Sequence, residues 1–159
     1  MPPVIARNIR TIAVLVVVAV IVVGFILFRD RLSNDVTSLQ PGECFDQPAA
    51  GVTEVSDVQR QPCNEPHDAE VLALVTDPAA ADAIYPVFGD HFRDLAVEQC
   101  LPVVTTFVGE SLDSRPELDV GFYYPTRESW NGGDRGVTCY LSMADGSKMS
   151  APLRVAGQQ

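Results

Sequence analysis

The chain has 159 residues, enough for one modest domain once an apolar leading segment is set aside. Asp and Glu outnumber Lys and Arg 21 to 11, and all of the acidic residues except Asp30 lie from Leu32 onward, where the formal charge is −13. A surface of that sign is repelled by nucleic acid and by anionic headgroups, whereas cationic partners, divalent ions and plain solubility stay open.

Residues 11–28, TIAVLVVVAVIVVGFILF, carry no charge, and fourteen of them are Val, Ile, Leu or Phe. At about −0.3 to −0.6 kcal/mol each, these favour insertion into a bilayer by about 4–8 kcal/mol. At 1.5 Å per residue the run spans about 27 Å, against a hydrocarbon core of about 30 Å. Arg10 and Arg29 flank it and can snorkel to the headgroups. A signal peptide would have a shorter apolar core and a small-residue cleavage site, but FILFRDRLSND follows with neither. An uncleaved anchor at 11–28 is therefore expected, making the lipid bilayer the first partner. The run lacks a small-xxx-small seam, so packing against other helices is weakly encoded. Positive charge gives no orientation: Arg7, Arg10 and the amine precede the run, and Arg29 and Arg31 follow it. The cysteines break the tie. All four lie after the run, and stable pairs need an oxidising compartment. The expected layout is a cytoplasmic 1–10, a transmembrane helix 11–28, a juxtamembrane linker 29–40, an extracytoplasmic domain 41–152 and a tail 153–159. The anchor helix can continue for a turn near 33–39.

Pro41-Gly42 is a turn signal leading into a short strand at Glu43-Cys44-Phe45. VTEVSDVQRQPC alternates loosely and predicts an edge strand ending near Cys63, and Asn64 to His67 reads as a loop. AEVLALVT at 69–76 is short and apolar on both faces, as a central strand is. DPAAADAIYP predicts a turn with one helical turn. Over 90–107, Phe92, Leu95, Ala96, Cys100, Val103, Val104 and Phe107 recur at spacings of three and four, the pattern of one helix face. Pro102 removes a backbone donor within it, so a kink or two abutting helices follow, and Gly109 ends the stretch. DVGFYYPTRESW reads as strand, turn and a second short strand, and Asn131 to Asp134 as a hairpin-type turn. GVTCYLSM is the last strand, with Val137, Cys139 and Leu141 on one face and Thr138, Tyr140 and Ser142 on the other. The tail from Asp145 is polar and expected to fray beyond Pro152. The fold class is α+β: a small antiparallel sheet packed on one kinked helix, with two disulfides.

Four cysteines allow three pairings. Their gaps of 19, 37 and 39 residues contain no C-x-x-C, which argues against a redox centre and against a zinc site built from close ligand pairs. Topology favours the sequence-local pairs Cys44–Cys63 and Cys100–Cys139, worth about 3 and about 4 kcal/mol by loop entropy.

Two clusters invite a functional reading. His67, Asp68 and Glu70 offer two carboxylates and an imidazole, a weak cation site or the basis of a metal-assisted hydrolase. The plainer alternative is that Asp68 caps the loop and His67 bonds locally, since no third and fourth ligands are visible. Trp130, Asp134 and Arg135 bound a loop that could recognise a partner, or simply a turn in which Trp130 packs and Arg135 pairs with a carboxylate such as Asp68. Tyr85, Phe122, Tyr123 and Tyr124 could form a ligand cage, but read better as core and sheet-face residues. There is no nucleophile motif, no phosphate-binding glycine loop and no cysteine left over, so no catalytic, cofactor or metal residue is assigned.

The blocks LQPGECFD, QPCNEPHDAEVLAL, AVEQC and YYPTRESWNGGDRGVTCYL, followed by DGSKMS, together resemble the septum-formation domain family of actinobacterial single-pass envelope proteins over about 39–150. The Pro-His-Asp-Ala-Glu-Val block and the Gly-Asp-Arg-to-Cys block carry most of the specificity, and Glu43 stands where Asp is commoner. The resemblance implies a leading membrane helix and a link to cell division, and brings no catalytic residues. The expected function is a non-enzymatic envelope protein that binds another protein or a cell-wall component. The alternative is an accessory subunit of a larger membrane complex, with the hydrolase reading behind both.

Overall fold

The computed structural model describes residues 15–23, 35–49, 55–86 and 90–155. The chain divides into two compact units, Met1–Ser33 and Asn34–Gln159.

In the first unit a helix, α1, covers 15–23, and eight of its nine residues are exposed Leu, Val or Ile. A helix apolar all round is suited to an apolar surrounding. Among the described residues no helix is long and apolar enough to cross a membrane. The expected transmembrane helix is therefore represented only by 15–23, and the rest of 11–28 lies outside the described residues, as do 1–10 and most of the expected linker.

The second unit is built on a five-stranded antiparallel sheet: β1 (Cys44–Asp46), β2 (Gln59–Gln61), β3 (Ala69–Thr76), β4 (Leu118–Tyr123) and β5 (Gly136–Met143), in the order β2-β1-β3-β5-β4. β3 holds the centre because its residues are apolar on both sides, for a specific reason. An irregularity in its pairing with β5 falls between Val71 and Ala73. One extra residue reverses the alternation, so Val71 faces one core while Leu72, Ala73 and Val75 face the other.

Two helices, α2 (Asp90–Gln99) and α3 (Leu101–Val108), cover one face and bury Phe92, Leu95, Ala96, Val104 and Phe107 against Leu72, Val137, Cys139 and Leu141. Of the two expected outcomes at Pro102, the chain takes the second, two abutting helices in place of one kinked helix. Pro102 cannot donate a hydrogen bond within a helix, but it is tolerated in a first turn, so the helix ends at Gln99 and restarts at Leu101. Gly109 closes α3 at φ 85°, a left-handed conformation that costs glycine little, and its N–H bonds the Thr105 carbonyl.

Among the described residues, no α-helix covers the other face, the side of Phe45, Ala69 and Val71. A single 3-10 turn at Val36–Ser38 and the stretch 55–58 place Val36, Leu39 and Val58 over Phe45, Ala69 and Val71. The globule therefore begins before Gln40, and two residues of the expected linker belong to its core. Asp35 opens the turn by accepting the Thr37 N–H at 2.8 Å.

A third correction concerns 124–134. The expected second strand is a helix, α4 (Arg127–Asn131), and the expected hairpin turn is its C-terminal exit into β5. Thr126 caps α4 by accepting the Ser129 N–H at 3.1 Å, and Glu128 sits in its first turn, where the helix dipole favours a negative charge. Gly133, at φ 96°, turns the chain toward β5. The helical turn expected in 77–86 is absent among the described residues.

Both disulfides pair as expected. Cys44–Cys63 (Cα–Cα 5.2 Å) ties β1 to the end of β2, and Cys100–Cys139 (6.3 Å) ties the α2–α3 junction to β5, so all four cysteines are used. The tail does not fray at Pro152: Leu153 N–H donates to Glu70 and Val155 N–H to the Phe107 carbonyl at 3.0 Å. Residues 156–159 lie outside the described residues.

Candidate functional site

The two sequence clusters resolve into framework. His67 is fully buried at the start of β3; its backbone exchanges two hydrogen bonds with Met149, each 2.9 Å, and its Nδ1 lies 2.7 Å from the Glu65 carbonyl. Asp68 points the other way. It accepts the Gln47 N–H at 3.0 Å and pairs with Lys148 at 2.9 Å. Lys148 also binds Asp46, and the two carboxylates hold its ammonium above the ordinary lysine value. Burial opposes the charge on Asp46, but the Lys148 and Gln61 hydrogen bonds outweigh it and keep that carboxyl below its usual value. Glu70 is buried under the tail, where its Oε2 accepts the Leu153 N–H at 2.5 Å. Burial pushes its carboxyl above the ordinary range, against the opposing pull of the Leu153 and Arg154 N–H groups and the Arg154 and His67 charges. The three side chains thus go to three environments. Among the described residues, no group of three or more His, Cys, Asp and Glu is placed to hold a metal ion.

Arg135 does not pair with Asp68. Its guanidinium turns inward and donates to four backbone carbonyls: Trp130 at 2.8 Å, Asp134 at 2.7 Å, Ala80 at 3.0 Å and Ala81 at 2.9 Å. It also lies 3.6 Å from the centre of the Trp130 ring. Trp130, itself buried, donates its indole N–H to the Ala83 carbonyl at 2.8 Å. Together they fasten the extended 77–86 loop to the α4–β5 connection. Tyr85 adds a bond to the Pro125 carbonyl at 3.1 Å, and packs edge-on against Trp130. Asp134 stays outside and accepts the Gly136 N–H at 2.8 Å.

One pair escaped sequence reasoning. Asp77, buried at the end of β3, accepts the Ala79 N–H at 2.8 Å on one oxygen and meets His91 Nε2 on the other. His91 sits in the first turn of α2 and is partly exposed. Fourteen residues and a loop separate the two, so no periodic signal links them.

With the motif residues turned inward, the concave surface is made by others. A groove of about 430 Å³ opens on the non-helical side of the sheet. Tyr123, Gly136 and Thr138 come from β4 and β5, and Thr126, Glu128 and Ser129 from the capped start of α4. Asp35 to Thr37 and Val55-Ser56 supply the opposite wall, and Tyr124, Pro125 and Asp134 complete the rim. Two tyrosines, several hydroxyls and three carboxylates face one hollow, and among the described lining residues none is basic. Tyr123 is bonded to Tyr140, and burial raises both phenols above their ordinary value, so they act as neutral hydroxyls. Of the two clusters singled out from sequence, only Asp134 lines this groove, and Tyr123 and Tyr124, expected as core and sheet-face residues, line it too. Pockets of this kind, concave and part aromatic with a few polar groups, are where small ligands and peptide side chains bind.

No curated protein and no solved structure matches the chain. A family model described as septum formation matches residues 38–159, which take in the whole sheet, the helices that cover it and both disulfides. The chain belongs to the septum-formation family.

Proposed function

We propose that this chain is a non-enzymatic, single-pass envelope protein whose outer domain binds a protein or cell-wall component at the division septum. Residues 11–28 anchor it in the cell membrane, 1–10 stay cytoplasmic, and the disulfide-bonded domain lies outside. The groove carries the reading: a concave, aromatic and acidic surface on a cross-linked scaffold, in a family linked to septum formation. The uncharged run and the paired cysteines support the topology. Arg135 and Glu70, two of the domain's buried charged side chains, hold backbone groups, which supports reading them as scaffold.

The test is localisation of the full chain with a C-terminal fluorescent tag that matures in oxidising surroundings. A fluorescent band at the septum is expected. Diffuse cytosolic protein, or four sulfhydryls open to labelling in the unreduced native molecule, refutes the reading.

A further inference from the structure

Resting on that reading, we propose that the groove binds a neutral glycan, with one sugar ring stacked on Tyr124 and its hydroxyls donating to Ser56, Glu128, Ser129 and Asp134. Three observations lead there. First, Tyr124 is a prepared stacking platform. One face of its ring lies on Phe92, with centroids 4.9 Å apart and planes 17° apart. Phe92 is itself buried and meets the Trp130 ring at 5.8 Å, so the platform is rigid. Tyr124 still stays 52% exposed and lines the groove, so its other face is presented there. The C–H groups on the flat side of a sugar ring carry a slight positive charge and meet the negative face of an aromatic ring.

Second, the lining is rich in acceptors. Three of its hydroxyls have already given their only hydrogen to the protein: Thr37 to Asp35 at 2.7 Å, Ser56 to Asp57 at 3.0 Å and Ser129 to the Thr126 carbonyl at 3.3 Å. Each keeps lone pairs, and the Glu128 and Asp134 carboxylates only accept. Asp134 spends Oδ1 on the Gly136 N–H, which leaves Oδ2 for a ligand. The complement to such a lining is a molecule dense in O–H donors, as a sugar is.

Third, the floor is a sheet face and not a free strand edge. Tyr123 opposes Thr138 in the β4–β5 pairing, and Thr138 and Gly136 oppose Leu74 and Thr76 in the β3–β5 pairing. The backbone hydrogen bonds that seat an extended peptide along a strand edge are therefore spent within the sheet. Leu74, directly across from Thr138 and 41% exposed, continues the same face with an apolar surface for a further sugar ring.

The experiment uses the full chain in micelles of a detergent without a sugar headgroup. The probe is N-acetylated chitotetraose, a neutral glycan whose amides add N–H donors to its hydroxyls. Binding is read by titration calorimetry at about 150 mM salt, where exposed charges are screened beyond about 8 Å. Saturable binding is expected. Tyr124→Ala is expected to bind about tenfold more weakly, and Tyr124→Phe, which keeps the ring, to stay within about threefold of the parent chain. Glu128→Gln exchanges an acceptor oxygen for an N–H donor and is expected to lose about fivefold; should Tyr124→Ala melt early, Glu128→Gln carries the comparison. Val97→Ala, at an exposed apolar position on α2, is expected to stay within about twofold.

No saturable binding, or equal weakening by Tyr124→Ala and Val97→Ala, overturns the proposal. So does a Gly-Lys-Gly-Lys-Gly peptide that binds more tightly than the glycan and is weakened by Glu128→Gln, because the occupant is then a peptide. The two proposals fail separately. A chain that binds the glycan but never reaches the septum sinks the localisation reading alone, and a septal chain that binds no chitotetraose sinks this one alone.

Discussion

Replacing Arg135 by Ala removes a side chain whose hydrogen bonds all end on backbone. Four carbonyls accept from it, and the guanidinium lies on the Trp130 ring. Two of those carbonyls keep a second donor: Ala80 retains the Ala83 N–H and Trp130 retains the Gly133 N–H. The other two, Ala81 and Asp134, lose the bond that satisfies them. A hydrogen bond from a charged donor is worth about 1.5–3 kcal/mol and the ring contact about 0.5–2 kcal/mol, and the terms overlap. The expected loss is about 3–5 kcal/mol, a large part of the 5–15 kcal/mol that holds a domain of this size. At about 3–4 °C per kcal/mol the melting temperature falls by about 10–20 °C. Arg135→Lys keeps the charge and most of the stem but not the planar fork, so about half that fall is expected. The assay is thermal melting by circular dichroism with the disulfides intact. A fall under about 3 °C for Arg135→Ala, together with loss of partner capture, refutes the framework account and makes Arg135 a binding residue after all.

Three further outcomes follow from the same geometry. Replacing Cys100 and Cys139 by Ser opens the longer loop and removes about 4 kcal/mol, against about 3 kcal/mol for the Cys44–Cys63 pair, so the first double variant should unfold at distinctly lower urea; the reverse order contradicts the loop-length account. Glu70 has its carboxyl raised above the ordinary 4.5, so its contribution is fully present below that value and is lost as pH rises through the folded value. Glu70→Gln should therefore gain on the parent protein in melting temperature as pH rises from 4 to 8, and parallel curves rule this out. His91→Ala leaves one oxygen of the buried Asp77 without its side-chain partner and should cost about 1–2 kcal/mol in urea denaturation, a figure reduced because His91 is partly exposed; an unchanged midpoint contradicts it.

The legible parts of the fold are those where a local pattern and the tertiary structure agree. β3 and β5 occupy the predicted 69–76 and 136–143, and Val137, Cys139 and Leu141 share the helix-facing core as their alternation requires. The Pro102 break and the two disulfides were equally readable. α4 was misread because Tyr123, Tyr124 and Trp130 weight the stretch toward strand; the overlooked signal was Pro125-Thr126 ahead of Glu128, a capped helix start. Val36 and Leu39 were missed because three residues of 3-10 turn show no period. Arg135 was assigned a carboxylate because side chains are visible in sequence and backbone acceptors are not. The groove was illegible for the same kind of reason. Its walls come from 35–37, 55–56, 123–129 and 134–138, and only the fold brings these together.

That assembly explains why so much polar chemistry is spent on holding backbone. A groove with walls from four stretches loses affinity if each must be ordered on binding, since immobilising loops and side chains costs about 0.5–1.5 kcal/mol per rotamer-rich group. Each wall is fixed beforehand. The 35–38 turn is tied to 56–60 by the Val36 N–H on the Ser56 carbonyl at 3.0 Å and by Arg60 on the Ser38 carbonyl at 2.9 Å, and Cys44–Cys63 anchors β2, which carries Arg60. The 126–136 wall is fixed by the Thr126 cap, by Arg135 and by the Trp130 indole N–H on Ala83. The residues most conspicuous in the sequence therefore act one layer behind the groove, and substitutions there should weaken binding and stability together. Replacing Glu128, whose side chain holds no backbone group among the described residues and gains only from its place in the first turn of α4, should weaken binding far more than stability. If Glu128→Gln cost the fold more than about 1 kcal/mol, the most that its place at the helix start explains, the division between scaffold and binding surface would fail.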